Sequence, residues 1–149
     1  MQFSELDEKA RAFLERNHAA AMITLRRDGT SHTARVAIAV EGGKIRSSSN
    51  ESRLRTKNLR RDPRATLFVF DTTDLTNAAQ WLALECRVSI IEGPTVPDET
   101  LRLFRVMQDR PDTVVWAGEE KDNDTFRQMM VDDHRILYEF DVLRAYGTY

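Results

Sequence analysis

Ser48-Ser49-Asn50-Glu51-Ser52-Arg53-Leu54-Arg55-Thr56-Lys57-Asn58-Leu59-Arg60-Arg61-Asp62-Pro63-Arg64 is the stretch on which the reading of this chain turns. Six of the twelve residues from Arg53 to Arg64 are basic and one is acidic, in a chain whose formal net charge is only −2. The positive charge is therefore concentrated, and it follows a Ser-rich strand end. Ser52–Arg61 reads as a short helix stopped by Asp62-Pro63, because a residue before proline disfavours helix. A helix start offers free backbone N–H groups, the serines and asparagine offer donors, and Arg53, Arg55 and Lys57 supply charge. Those are the groups that bind phosphate, so the segment is expected to anchor a phosphorylated cofactor.

Working outward, the flanks read as strands. Ala19–Arg26 is apolar, Arg27-Asp28-Gly29-Thr30 carries an Asp-Gly hairpin signal, and Ser31–Glu41 returns as a second strand. Gly42-Gly43 turns again into a third strand, Lys44–Ser49, so that two hairpins make a meander. Ala65–Phe70 is a continuous apolar run expected to be buried on both faces. From Gln80 to Ile91 apolar and polar residues alternate, the mark of a half-buried strand. Arg135–Val142 is a final core strand, and Leu143–Tyr149 adds a short edge. Helices are expected at the N-terminus, with Ser4 as N-cap and Asp7 and Glu8 in its first turn, at Pro97–Gln108, and around Thr125–Val131. The acidic stretch Gly118–Asp124 reads as a loop. Six or seven strands, short hairpins and no βαβ alternation imply a mainly β (α+β) chain: an antiparallel barrel with peripheral helices, forming one domain over residues 1–149.

Composition sets bounds. The chain has 149 residues, enough to bury roughly 70% of the surface its unfolded form exposes. No apolar run approaches the roughly 20 residues of a membrane span, and Met1-Gln2-Phe3-Ser4-Glu5 lacks a secretory pattern. The single cysteine, Cys86, precludes an internal disulfide and fits a reducing compartment, so a cytoplasmic location is expected. A pI of about 5.9 argues against a nucleic-acid coat. No aromatic lies between Phe13 and Phe68 to stack bases beside the basic patch. Neither membrane nor nucleic acid is an expected partner.

The run Ser52–Ala65, with its Asn58-Leu59-Arg60-Arg61-Asp62-Pro63-Arg64-Ala65 core, resembles the FMN-binding split-barrel superfamily. Within it the chain is most similar to the pyridoxamine-phosphate-oxidase-like branch that holds the coenzyme F420-dependent reductases. The opening helix, the Ala-rich first strand, the Asp-Gly hairpin and Tyr146-Gly147 follow in the same order. The resemblance implies a split barrel and a homodimer with two cofactor sites at its interface. It also implies that Ser48, Ser49, Arg53, Arg55 and Lys57 hold the cofactor phosphate, and that Arg35 matches the second-strand Arg, with Val36 and Ala37 beside the ring. Two departures stand out. The chain reaches Tyr149 without the Arg-x-His segment of the true oxidases, so pyridoxamine-phosphate activity is not expected. The family's Glu-Gly in the long strand is Glu85-Cys86.

Trp81, following Asn77-Ala78-Ala79, is a candidate cofactor or interface contact, whereas Trp116 reads as packing. Cys86 falls on an apolar strand face as an inert thiol. His18, His32 and His134 have no metal-ligand spacing, and His32 alone flanks the expected ring. No nucleophile, paired-carboxylate motif or Gly-rich phosphate loop is present, which fits chemistry carried by a cofactor. The expected activity is therefore an oxidoreductase using coenzyme F420, or alternatively FMN, on a small organic substrate. Arg60, Arg61 and Arg64 are expected either to make surface contacts or to meet the anionic F420 tail. The rival classes are a non-catalytic F420- or haem-binding protein and a nucleic-acid binder.

Overall fold

The computed structural model describes residues 1–71 and 80–149. In chain order its strands are β1 (Ala19–Leu25), β2 (Ser31–Ala37), β3 (Ala39–Glu41), β4 (Lys44–Asn50), β5 (Arg64–Phe70), β6 (Trp81–Ile91), β7 (Thr113–Trp116), β8 (Glu119–Asp122) and β9 (Arg135–Thr148). The helices are α1 (Glu8–Arg16), α2 (Leu54–Arg61), α3 (Val96–Met107) and α4 (Asn123–Asp132). Seven strands form one antiparallel sheet ordered β2-β1-β5-β6-β9-β4-β3, and β7 pairs with β8 separately.

The outermost strands, β2 and β3, are consecutive in the chain and separated only by Ile38. A sheet whose two edges are joined by one residue has to roll until those edges meet. At the seam the Ile38 N–H donates to His18 O at 2.8 Å, and the Ser47 hydroxyl donates to Ala37 O at 2.7 Å. The expected single strand Ser31–Glu41 is thus two, and the expected meander is two hairpins at opposite ends of the sheet. The cause is that the residues on either side of Ile38 pair with different strands, β1 and β4.

Alternating residues fill the barrel. Met22, Leu67, Leu84, Tyr138 and Phe140 point inward with Phe13 and Leu14 of α1. Outside it, Ala39 and Leu137 pack under Val96 and Leu103 of α3, and a separate cluster of Leu101, Val114, Phe126 and Met130 joins α3, α4 and the ribbon. Arg46 ties these layers together: it bonds Glu139 at 2.7 Å, Glu41 at 3.2 Å and Glu99 at 3.4 Å, linking β3, β4, β9 and α3.

Three expectations are corrected locally. Strand β5 is buried on one face only, through Ala65, Leu67 and Val69, while Thr66 and Phe68 are half-buried and Phe70 is exposed on the outer face. The acidic segment expected as a loop supplies β8. Ala117 (φ 53°) and Gly118 (φ 79°) make a two-residue left-handed turn that sends the chain back along β7, and Glu120 accepts from Thr113 Oγ1 at 2.6 Å and Arg110 at 2.9 Å. Helix α1 is capped by Asp7, which accepts from the Ala10 N–H at 2.8 Å, while Ser4 lies in a preceding 3-10 turn.

Candidate functional site

The basic segment folds as a plug at one end of the barrel. Asn50, the last residue of β4, accepts from the Ser52 N–H at 3.2 Å and the Ser52 hydroxyl at 2.9 Å, which turns the chain into α2. Thr56 then donates to Asn50 O at 2.8 Å and meets the hydroxyl of Tyr138, whose side chain is fully buried. Asn58 donates to Thr24 Oγ1 at 3.1 Å inside the barrel. Arg53 is the N-cap residue with an extended backbone, and no side chain caps the helix there. The helix start is therefore fixed from within while its polar end stays available.

Arg55 is half-buried beside Tyr138. Burial lowers its pKa from the ordinary guanidinium value; the neighbouring Tyr138 hydroxyl raises it and Arg53 lowers it. Arg135, at the head of β9, pairs across the sheet with Asn50 and so arrives at the same rim. Its Nη2 donates to Ser48 Oγ at 2.8 Å, its Nη1 meets Asp133 at 3.3 Å, and its guanidinium lies 5.6 Å from the centroid of Trp116. Burial lowers its pKa first; Asp133 opposes that, and Arg53 and Arg55 add to it. Three guanidinium groups thus lie within repelling range of one another. Among the described residues four buried side-chain polar atoms have no hydrogen-bond partner: Arg55 Nε and Arg135 Nε at this rim, Ser49 Oγ on the inner face of β4, and His32 Nδ1 on β2. A rim with surplus positive charge and unsatisfied buried polar atoms favours an anion.

Of the residues expected from sequence, Ser48, Arg53 and Arg55 lie at this rim, whereas Ser49, the next residue of β4, turns its hydroxyl toward the barrel interior. Lys57 is exposed on α2, on the opposite side of the helix from Arg55 and about one turn beyond Arg53. Arg135 was not anticipated, because what brings it to the rim is a pairing between segments more than 80 residues apart, which no local pattern encodes. Arg60, Arg61 and Arg64 have partners of their own. Arg60 pairs with Glu92, Arg61 donates to Leu25 O, and Arg64 meets Asp62 at 2.7 Å, drawing the Asp62 carboxyl down to about 2 through its side-chain and backbone hydrogen bonds.

Arg35 lies on the outer face of β2, in a cleft of about 460 Å³ with His18, Ala37, Phe70, Phe104 and Met107. Val36 alternates inward, is buried in the barrel core and does not line that cleft. Trp81 begins β6, stacked on Phe68 at 5.4 Å between centroids and edge-on to Tyr146 at 6.2 Å. Asn77-Ala78-Ala79 lies outside the described residues. Register aligns Arg35, Ala21, Phe68, Ala83 and Tyr146 in one outward row, and Phe70 and Tyr146 are 38% and 45% exposed. Ala37, at the end of β2, accepts from Ser47 of β4, the residue before Ser48.

Cys86 sits at a β-bulge, where Glu85 pairs with Arg144 and Cys86 with Val142, leaving Leu143 as the extra residue. Its side chain enters the core, and burial pushes the thiol up to about 12. The His18 ring lies 3.0 Å from Ile38 O, and His134 is exposed in a left-handed turn with φ 52°. Among the described residues no cluster of three or more His, Cys, Asp or Glu could hold a metal ion, and no helix is long and apolar enough to cross a membrane.

Solved structures share this fold. One described as an F420 reductase matches with a TM-score of 0.68 at 21% identity, covering 95% of this chain and 98% of that one. A putative pyridoxamine 5'-phosphate oxidase from Listeria innocua matches at 0.66 and 14%, covering 96% and 98%. The haem storage protein HutZ from Vibrio cholerae matches at 0.66 and 14%, covering 95% and 94%. These likenesses establish a common split-barrel fold. Residues 6–146, nearly the whole chain, match the pyridoxamine 5'-phosphate oxidase family, and the chain belongs to it.

Proposed function

We propose that this protein is a coenzyme F420-dependent oxidoreductase that passes a hydride between the deazaflavin and a small organic substrate, as a cytoplasmic homodimer with the cofactor at the subunit interface. The observation that carries the reading is the rim at which Arg53, Arg55 and Arg135 repel one another beside Ser48, with the Nε atoms of Arg55 and Arg135 buried and unpartnered. Those orphaned buried atoms fit a cofactor phosphate. Ser48, Arg53 and Arg55 would hold it, with the backbone N–H groups at the start of α2 adding to the field. The outer face of β2, at Arg35 and Ala37, would border the ring. F420, when bound, supplies a hydride at C5 of its deazaflavin. In this reading the chain would bind the phosphate at the rim and orient the ring along β2. The fold shared with an F420 reductase supports this cofactor; FMN, with a similar ring and phosphate, is the alternative.

The outward row of Phe68, Phe70, Trp81 and Tyr146 supports the dimer, since an apolar face of this kind on a thin barrel suits a second subunit as the other wall of the pocket. Sedimentation should give a dimer at micromolar concentration and a monomer for Phe70→Arg; a monomeric wild type that still binds cofactor refutes the arrangement. Fluorescence titration with F420 and FMN tests the function. Binding of F420 with an affinity of about 1 μM, near 8 kcal/mol, is expected; binding of neither compound refutes it.

A second reading, non-catalytic haem binding, is favoured by His134. It lines a cleft of about 420 Å³ with Pro94, Pro97, Met130, Val131 and Ile136, beside the Arg135 cation. A Soret band on haem titration that disappears in His134→Ala would support it.

A further inference from the structure

We propose that Arg135 is a ligand-contacting guanidinium of the anion site, and that Asp133 is its resting counter-ion, displaced when a phosphate ester binds. The inference rests on the phosphate reading of the rim and adds a residue and an exchange to it. Arg135 is placed by contacts that do not use up its charge. The neutral Ser48 hydroxyl accepts from Nη2 at 2.8 Å, and the Trp116 face lies 5.6 Å from the guanidinium carbon. Its Nε is buried with no partner among the described residues.

The contact with Asp133 is loose by comparison. At 3.3 Å it is longer than the 2.7–2.9 Å of a good charge-assisted bond. Asp133's other donor, Asn50 Nδ2, is as far as 3.4 Å. The protein's structural pairing of Arg46 with Glu139 is tighter, with Nη2 at 2.7 Å and Nε at 2.9 Å on the same carboxylate oxygen. Asp133 is 40% exposed, so its carboxylate can turn to water, while Arg135, at 10%, stays under Trp116. A phosphate oxygen arriving beside Ser48 would replace a stretched ion pair with a shorter one and give Nε its acceptor. No bond is made or broken in this exchange. The carboxylate leaves for solvent as the phosphate enters.

Fluorescence titrations with F420 and FMN test it, using Arg135→Gln, Asp133→Asn, the double variant, and Arg55→Gln as the control for the site itself. Arg135→Gln should raise the Kd for the bound cofactor at least tenfold. Asp133→Asn should lower it severalfold, and the double variant should match Arg135→Gln alone, because Asp133 acts through Arg135. Weakened binding in Arg55→Gln with an unchanged Kd in Arg135→Gln overturns the proposal and leaves the phosphate site standing. No effect in either variant overturns both. If Arg135→Gln does not fold, Asp133→Asn decides: tighter binding supports the exchange, and equal or weaker binding refutes it.

Discussion

In an Arg55→Met variant the methionine keeps an unbranched stem beside Tyr138 and removes the guanidinium. Two kinds of contribution change. Toward a bound phosphate the variant loses a charge-assisted contact of about 1.5–3 kcal/mol, roughly a 10- to 150-fold rise in Kd. Toward the fold the terms oppose one another. The Tyr138 hydroxyl loses a cationic neighbour but keeps Thr56. An unpartnered buried Nε and its repulsion with Arg53 disappear as well. With each term about 1 kcal/mol, unliganded stability should change by no more than about 1 kcal/mol, or about 3 °C for a chain of this length. Thermal unfolding with and without F420 separates the two effects. At a ligand concentration of about 100 Kd the wild type gains about 2.7 kcal/mol, or about 9 °C. A thirtyfold weaker variant at the same concentration gains about 0.9 kcal/mol, or about 3 °C. An unliganded variant that melts more than about 6 °C lower, with its ligand-induced rise intact, would mean that Arg55 serves the fold and not the anion.

Three further outcomes are expected. The Cys86 thiol, raised by burial from an ordinary 9.0 to about 12, should show no thiolate absorbance in the folded protein at pH 9 while the unfolded chain does; its contribution to stability is full below about 9 and fades as the pH climbs toward 12, and rapid alkylation at pH 8 would contradict this. Gly147→Ala should cost roughly 2–4 kcal/mol in urea unfolding, since an added Cβ would lie 2.2 Å from the Trp81 carbonyl oxygen of the neighbouring strand; a loss under about 1 kcal/mol would show that β6 and β9 shift freely. Arg46→Met should destabilise by about 3 kcal/mol because it leaves Glu41, Glu99 and Glu139 without their shared cation, and an unchanged denaturation midpoint would show that the cluster is dispensable.

The sequence was legible wherever a local pattern has one structural solution. Alternation marked β6, the Asp28-Gly29 turn marked the first hairpin, and Asp62-Pro63 marked the end of α2. It failed where partners decide. Nothing local in Thr33–Val40 says that the chain changes strand neighbours at Ile38. Glu119–Asp122 has poor strand propensity and becomes a strand because Ala117-Gly118 folds it back on Val114 and Val115. The site divides in the same way. Ser48, Arg53 and Arg55 are close in sequence and read as a group, while the alternation of β4 separates Ser49 from them. Arg135 looked like the polar start of a core strand, and its role follows only from the register that sets it opposite Asn50. The charges of Arg60, Arg61 and Arg64 were visible, but the neighbours that occupy them were not.

The position of β9 between β4 and β6 has a consequence for how the protein comes into being. Both early hairpins can close as soon as they leave the ribosome, yet nothing joins them on one side until a strand made some 85 residues later slides between β4 and β6. Until then the inner faces of β1, β4, β5 and β6 lie open to water, with the edges of β4 and β6 ready to accept any passing strand. Non-local pairing of this kind makes folding slow and the growing chain prone to aggregation. The anion rim shares that timetable: Arg135 is the first residue of the closing strand, so ligand affinity and barrel closure should mature in a single event during synthesis.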